Sequence, residues 1–335
     1  MIRNVILITG SAPINQPVEI IFSLLYSKCD IVYEVPKCMH LKNGWGKISI
    51  TSLTEREAYP MPSSIDFMWL SLNEEKVYSI EDEIDTELMA KEIENFSKNN
   101  EVVYIIVGYA PYGLVCLWLH NKHKTCLIYK GYAKVKLESN DMYPFLTPYH
   151  SISDYCACQL KEQKKTLPPQ DLFDNYMKQY FYRYIITLDK LKEGNCTKDN
   201  EEISKFNYIE EVLFDGTHDK LHDGGLLKYH QAGKPKKLAI KWHIGKSEYS
   251  AYFWFEEEPI REVFDKFYGA HPNTKTDFII RIDAENRKYE LALYRYGLKE
   301  PQVIPENVYQ LLVFKNKFED YRSDNYNQER GAWIW

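Results

Sequence analysis

The chain has 335 residues, of which 44% are hydrophobic and 27% are charged. These proportions argue against a disordered chain and leave room for two domains with sizeable cores. The net charge of -6, with acidic and basic residues mixed along the chain, excludes the basic footprint that nucleic-acid and membrane-surface binding requires. The 27 tyrosines, 15 phenylalanines and 7 tryptophans are typical of β-sheets and contact surfaces.

The seven cysteines are scattered along the chain, so they do not predict a disulfide scaffold. The first apolar stretch ends at Pro13 without a cleavage site, and the residues before Cys29 do not form a lipoprotein box. A cytoplasmic location is therefore predicted. The uncharged stretch Val102–Leu119 approaches the length of a membrane span, but Gly108 and Pro111 lie at its centre. Two strands around a turn are predicted there, and no transmembrane segment.

The first half of the chain alternates strand and helix patterns. Strands are predicted over Ile65–Leu72 and near Val77–Ile80, and they are separated by a polar turn. An amphipathic helix is predicted over Asp85–Phe96 because its apolar residues recur at helical spacing. The hairpin described above follows, and then a strand at Cys126–Val135.

The second half repeats this order. A helix is predicted over residues 258–268, with Pro259 in its first turn and Gly269 directly after it. Strands are predicted on both sides of this helix, at Leu238–Ile244, Tyr249–Phe255, Asp277–Ile282, Lys288–Tyr294 and Tyr309–Phe314.

Both halves therefore have the order strand, strand, helix, strand, strand. Trp69 and Trp242 lie in the first strand of each set, and Phe96 and Phe267 close the two helices. We interpret this as an ancient duplication, although the same order is common enough to arise twice by chance. The predicted fold class is α+β, with two similar units and mainly antiparallel sheets. The predicted domains are residues 1–160 and 237–335.

Residues 161–236 are predicted to form a helical and loop connector between these domains. Leu167-Pro168-Pro169 precedes an amphipathic pattern that favours a helix, although Tyr180–Leu188 fits a strand equally well. Residues 193–233 are polar and rich in Asp and Gly, which is typical of a long loop.

The connector contains the best candidate for chemistry in the chain. His218 and His222 are four residues apart and would share one face of a helix, with Asp219 and Asp223 beside them. Such a set could bind a divalent metal and serve a hydrolase. The flanking glycines favour a solvated loop instead, so no metal and no cofactor are predicted. Motifs for phosphate loops, dinucleotide binding and serine nucleophiles are missing from the sequence, so no catalytic residue is assigned.

Other residues are candidates for contact with a protein partner. They lie at predicted turns and hairpin tips or in the aromatic end of the sequence, where Trp, Tyr and Arg anchors are effective in interfaces. The candidates are Tyr112, His120, His123, His218, His222, Tyr326, Trp333 and Trp335.

Several short motifs together resemble a bacterial domain of unknown function, family number 2931, over about residues 10–185. No single motif is specific, but their combination is. The resemblance is carried by Gly44-Trp45-Gly46, Ile65-Asp66, Trp69-Leu70-Ser71, Glu75-Lys76-Val77-Tyr78, Gly108, Ala110-Pro111, Gly113, Trp118-Leu119 and Leu167-Pro168-Pro169.

The resemblance implies a function but no catalytic residues. Members are often exported lipoproteins, and some are encoded beside type VI secretion effectors, notably phospholipases, for which an immunity role is suspected. It therefore implies a non-enzymatic protein that binds and neutralises a toxin. The alternatives are a metal-dependent hydrolase that uses His218 and His222, and a structural or envelope-associated protein.

Overall fold

The computed structural model describes residues 6–28, 30–37, 40–49, 51–52, 61–96, 102–136, 149–161, 166–188, 206–222, 228–244, 247–283, 288–315 and 319–320. The chain divides into two compact units, Met1–Asp174 and Asn175–Trp335, here called the N-terminal and C-terminal units. Strands account for 52% and helices for 18% of the described residues. The molecule is therefore mostly β.

The N-terminal unit contains two sheets, with strand orders β4-β1-β7-β8-β9 and β3-β2-β5-β6-β10. Strands β1 and β7 are parallel, and the other pairs within these two sheets are antiparallel. The elements are β1 (Ile6–Ser11), β2 (Val18–Ser27), β3 (Asp30–Glu34), β4 (Thr51–Ser52), β5 (Ser64–Ser71), β6 (Lys76–Glu83), α1 (Thr86–Phe96), β7 (Val103–Tyr109), β8 (Leu114–His120), β9 (Thr125–Tyr132), β10 (Lys134–Val135) and α2 (Ile152–Leu160). Helix α3 (Leu172–Tyr176) leads into the second unit.

The C-terminal unit also contains two sheets, ordered β14-β11-β17-β18-β19 and β13-β12-β15-β16-β20-β21. Strands β11 and β17 are parallel, and the other pairs within these sheets are antiparallel. The elements are β11 (Tyr180–Leu188), β12 (Phe206–Leu213), β13 (His218–His222), β14 (His230–Ala232), β15 (Pro235–Ile244), β16 (Ser247–Phe255), α4 (Glu257–Tyr268), β17 (Thr276–Ile282), β18 (Tyr289–Arg295), β19 (Gln302–Ile304), β20 (Tyr309–Lys315) and β21 (Glu319–Asp320).

The two units have the same strand connectivity. Within its unit, each of the ten strands β1–β10 has a counterpart ten strand numbers later, with the same pairing order and the same single parallel pair. The C-terminal unit adds β21, which pairs with β20. Helices α1 and α4 occupy the same place, between the sixth and seventh strands of their units. Trp69 of β5 lies opposite Tyr78 and stacks on it at 5.5 Å, and Trp242 of β15 lies opposite Tyr249 and stacks on it at 5.7 Å.

The predicted α+β fold class is wrong, because the sheets dominate both units. The five elements predicted for each half form only part of each unit. Four further strands precede them, β1–β4 in the N-terminal unit and β11–β14 in the C-terminal unit. Residues 161–236, predicted as a connector with a long loop, contain β11–β14. Tyr180 and Tyr184 explain the ambiguity, because residues four apart share a face both in a helix and in a strand. Both side chains are buried on the inner face of β11.

Both sheets and the helix of each unit contribute to one core. The N-terminal core includes Ile8 and Val107 of one sheet, Trp69 of the other sheet, and Ile93 of α1. A second, smaller cluster in this unit lies on the opposite face of β5. There Met68 and Leu70, which alternate with Phe67 and Trp69, pack with Tyr155, Cys156 and Leu160 of α2. The sheet β3-β2-β5-β6-β10 is therefore apolar on both faces.

The Gly44-Trp45-Gly46 motif packs on the N-terminal unit's other sheet. The Trp45 ring meets Trp118 of β8 edge-on at 4.8 Å, and it lies 5.7 Å from Phe173 of α3. Gly108 of β7 lies beneath these rings, where a Cβ would come within 2.4 Å of Trp118. Glycine is required there because two large rings approach the backbone.

The predicted hairpin over Val102–Leu119 is confirmed by β7, a 3-10 turn at Pro111–Gly113, and β8. No helix in the described part of the chain is long and apolar enough to cross a membrane.

The two stacked tryptophans should be equally important for stability. We expect Trp69→Ala and Trp242→Ala each to lower the free energy of unfolding by about 3–5 kcal/mol, because each leaves a large cavity in a packed core. Tyr296→Ala is the control, since this ring is 100% exposed, and it should change stability by less than about 0.5 kcal/mol. Urea unfolding followed by far-UV circular dichroism measures all three. A loss under about 1 kcal/mol at either tryptophan would contradict the equivalence.

Candidate functional site

The histidines singled out in the sequence lie in a strand and not in a loop. His218 and His222 are the first and last residues of β13, so their Cα atoms are about 13 Å apart at the rise of a strand. They cannot bind one metal ion together. The described part of the chain contains no group of three or more potential metal ligands, and Asp223 lies outside it. The Asp219 carboxylate accepts a hydrogen bond from the backbone N–H of Lys220 at 2.7 Å.

Three other candidates have local partners in the N-terminal unit. The Tyr112 hydroxyl donates to the Pro168 carbonyl at 2.6 Å, and Nδ1 of His120 lies 2.6 Å from the Thr125 hydroxyl. The His123 backbone N–H donates to the Asn121 side chain at 2.9 Å in the β8–β9 turn. These contacts fix two turns of the N-terminal unit. The remaining candidates, Tyr326, Trp333 and Trp335, lie outside the described residues.

His218 and His222 belong to one face of a sheet in the C-terminal unit. Strands β12, β15 and β16 alternate buried residues, such as Ile240 and Trp242, with partly exposed ones. We call this outer surface the lysine–aromatic face. It consists of Tyr208, Glu210, Val212, His218, Lys220, His222, Lys237, Ala239, Lys241, His243, Glu248, Ser250, Tyr252, Trp254, Gln310, Leu312 and Phe314.

Strand register aligns these side chains in rows across the sheet. Tyr252 of β16 lies between Ala239 of β15 and Leu312 of β20, and Ser250 lies opposite Phe314. The Tyr252 ring stacks on Trp254 at 5.7 Å and meets Phe314 edge-on at 5.9 Å. Aromatic pairs in these geometries are favourable beyond the area they bury. The rings therefore form a continuous platform on β16 and β20.

Two lysines lie over these rings. Lys220 Nζ is 3.8 Å from the centre of the Tyr208 ring, and Lys237 Nζ is 5.4 Å from that of Tyr252 and 5.7 Å from that of Trp254. Cation–π contacts of this kind contribute about 0.5–1 kcal/mol at exposed sites. They hold the lysine side chains against the face.

The two carboxylates of the face have cationic or histidine neighbours. Lys241 Nζ lies 2.8 Å from Glu248, and His218 Nε2 lies 3.3 Å from Glu210. The contact with His218 lowers the pKa of Glu210 even though partial burial acts in the opposite direction. Both carboxylates are therefore offset locally, and the lysines dominate the charge that the face presents.

The equivalent sheet face of the N-terminal unit carries different side chains. Its strands β5 and β6 carry Met68, Leu70 and Val77 at that surface, and α2 packs on them through Tyr155 and Leu160. The C-terminal unit has lysines, histidines and partly exposed rings on the corresponding strands. The same topology thus supports an apolar packing surface in one unit and a charged aromatic surface in the other.

A buried polar centre in the C-terminal unit was not predicted from the sequence. Glu211 of β12 is 2% exposed, accepts a hydrogen bond from the Tyr184 hydroxyl at 2.6 Å, and lies 3.3 Å from His230 Nε2. Burial acts to lower the pKa of His230, but the Glu211 carboxylate, together with the Lys228 carbonyl and Asp219, raises that pKa overall. The sequence signal that could have revealed this centre is Glu211, a carboxylate that shares the inward face of a strand with Ile209 and Leu213.

Lys234 is the most deeply buried lysine among the described residues, at 1% exposure. Its ammonium donates to the Asn175 carbonyl and lies 3.4 Å from the Tyr180 hydroxyl. Burial lowers the pKa of Lys234 to about 8. Nearby, buried Asp215 accepts hydrogen bonds from Gln179 at 2.7 Å and from the Thr217 hydroxyl at 2.6 Å.

The family-like motifs converge on Glu74 in the N-terminal unit. Its carboxylate accepts hydrogen bonds from the Ser71 hydroxyl at 2.8 Å, the Tyr78 hydroxyl at 2.8 Å and the Tyr112 backbone N–H at 3.1 Å. Tyr112 has a φ of 61°, which this bond helps to stabilise. Sequence reasoning singled out Glu75, but the neighbouring carboxylate joins the motifs. This network ties the β5–β6 turn to the β7–β8 turn, and we assign it a structural role.

The family expected from these motifs is confirmed by comparison. The model of a protein family of unknown function, DUF2931, matches residues 7–184, which is more than half of the chain. The chain therefore belongs to the DUF2931 family. The match covers β1–β10 and ends within β11. None of the curated proteins and none of the solved structures matches the chain.

Lys234 should make stability depend on pH in the alkaline range. Its pKa is about 8 in the folded state against 10.5 in the unfolded state, so between these values the unfolded state binds more protons. The free energy of unfolding should therefore rise with pH across this range, by up to about 3 kcal/mol from this group.

Lys234→Met lacks this titration and should show a correspondingly smaller rise. Urea unfolding of both proteins at pH 8, 9 and 10 measures the difference. Equal pH dependence in the two proteins would contradict the lowered pKa. Lys299→Met, at an exposed turn, controls for the loss of one positive charge.

Proposed function

We propose that this DUF2931 protein is a non-enzymatic immunity protein that binds a bacterial toxin and blocks its active site. The resemblance described above implies this role, with a type VI secretion effector such as a phospholipase as the toxin. The structural observation that supports it is the lysine–aromatic face. Inhibition by occlusion requires a broad surface whose side chains are already in place before the partner arrives.

The lysine–aromatic face meets this requirement in three ways. Its side chains come from neighbouring strands whose register is fixed by an extensive hydrogen-bonded sheet. Its rings pack on one another, and its lysines pack on the rings. Protein interfaces of ordinary size bury about 800 Å² per partner and draw most of their affinity from a few Tyr, Trp and Arg anchors. Tyr252, Phe314 and Tyr208 are placed to serve as such anchors.

This geometry does not provide the pair of metal ligands that the rival hydrolase hypothesis requires. His218 and His222 lie at opposite ends of β13, within the lysine–aromatic face, and cannot share one ion. Their position favours a contact role. They join the lysines along the β13 side of the surface.

Co-expression tests the proposed role directly. The chain should restore growth to cells that express the effector encoded beside it, and the two proteins should elute together in gel filtration. Rescue by a complex in which the effector's catalytic site is still open to a small substrate would contradict occlusion. Failure both to bind and to protect would reject the immunity role in favour of a structural or envelope-associated one.

Anchors on the face should be separable from the fold. We expect Tyr252→Ala and Phe314→Ala each to weaken effector binding at least tenfold, because truncating an aromatic hot spot costs about 2 kcal/mol or more and tenfold corresponds to about 1.4 kcal/mol. Isothermal titration calorimetry measures the affinity, and circular dichroism confirms that the variants fold. Tyr296→Ala removes a ring that is 100% exposed in the β18–β19 turn, away from the face. This control should bind like the unmodified chain, and equal weakening in all three variants would contradict the assignment.

A further inference from the structure

We infer that the lysine–aromatic face recognises an acidic patch on the partner protein, with Lys220 and Lys237 as the residues that contact its carboxylates. This inference rests on the proposed function and adds the chemistry of the partner's surface. It starts from a charge contrast. The whole chain has a net charge of -6, whereas the face carries three lysines and three histidines against two glutamates.

Lys220 and Lys237 differ from the third lysine of the face. Lys241 is paired with Glu248 at 2.8 Å. Among the described residues, Lys220 and Lys237 make no ion pair with a carboxylate and contact rings instead. A ring face satisfies an ammonium only on one side and accepts no directional hydrogen bond of normal strength. Glu210 attracts both ammonium groups without forming an ion pair with either, and each ammonium retains N–H donors for an incoming carboxylate.

The surroundings of the two lysines also fit a carboxylate that arrives from a protein surface. Lys237 lies directly beside Trp254 and near Tyr252, so an acidic side chain that reaches it brings its own backbone and neighbours against the rings. Burying a charge pair under an apolar rim excludes water and strengthens the pair. The combination of lysines and rings therefore favours a partner whose acidic groups are surrounded by apolar surface.

A nucleic acid would also offer negative charge, but the face is poorly suited to it. Phosphate backbones are bound by dense lysine and arginine stripes on basic domains. The face contains no arginine, and two carboxylates lie among its lysines. An acidic protein surface fits this mixture better than a polyanion does.

The inference is tested with two paired charge variants. Lys220→Gln with Lys237→Gln removes both ring-bound ammonium groups and leaves neutral polar side chains that are only slightly shorter than lysine. Lys288→Gln with Lys299→Gln removes the same charge from exposed turns at the ends of β18, in the other sheet of the unit. Affinity for the effector encoded beside this chain is measured for both variants and for the unmodified protein at several salt concentrations.

We expect the Lys220/Lys237 variant to bind at least tenfold more weakly at low salt, with a shallower dependence of affinity on salt. The Lys288/Lys299 variant should stay within about twofold of the unmodified chain. Equal affinity and equal salt dependence in all three proteins would overturn the acidic-patch inference and leave the proposed function standing. If the unmodified chain does not bind the effector, the proposed function itself fails. Duplex DNA that binds with the same dependence on Lys220 and Lys237 would overturn the choice of a protein partner.

Discussion

The stacked tryptophan and tyrosine of each unit fix the register on which the rest of the structure depends. Trp69 and Trp242 are fully buried and face inward from their strands, each against a tyrosine directly across the sheet. A shift of one residue in either strand would turn every side chain to the opposite face. Because Trp242 must point into the core, Lys237, Lys241 and the other odd-numbered positions of β15 that flank it must point outward.

The same constraint shows where two units of one topology can differ in sequence. With inward positions held by the core, only outward positions can change without loss of the fold. In the N-terminal unit these positions are apolar and pack against α2. In the C-terminal unit they are lysines, histidines and rings. The family match ends within β11, so the family motifs lie in the N-terminal unit and the lysine–aromatic face lies outside the matched residues.

Sequence patterns predicted the elements with strong periodicity and missed those without it. The amphipathic stripes of α1 and α4 and the turn residues around Pro111 were sufficient for correct elements. Strand β11 was ambiguous because Tyr180 and Tyr184 fit both periods, and β13 was hidden by polar residues and flanking glycines. Of the lysine–aromatic face, the sequence singled out only His218 and His222, as weak metal-ligand candidates and as candidates for contact with a protein partner. Lys237 and Tyr252 become neighbours through the pairing of β15 with β16, and no local pattern encodes which residues of two strands stand side by side.

The lysine–ring contacts reduce the non-specific association that exposed aromatic binding surfaces promote. Partly exposed rings favour association with wrong partners and with other copies of the chain. Lys220 and Lys237 lie over the rings in the free protein, so they shield apolar area and add like-charge repulsion between copies. A partner with carboxylates turns this repulsion into attraction without moving the lysines far from the rings. The two long lysine side chains are already ordered in the free protein, so binding loses less conformational entropy. The surface therefore favours its specific partner and resists self-association when it is unoccupied.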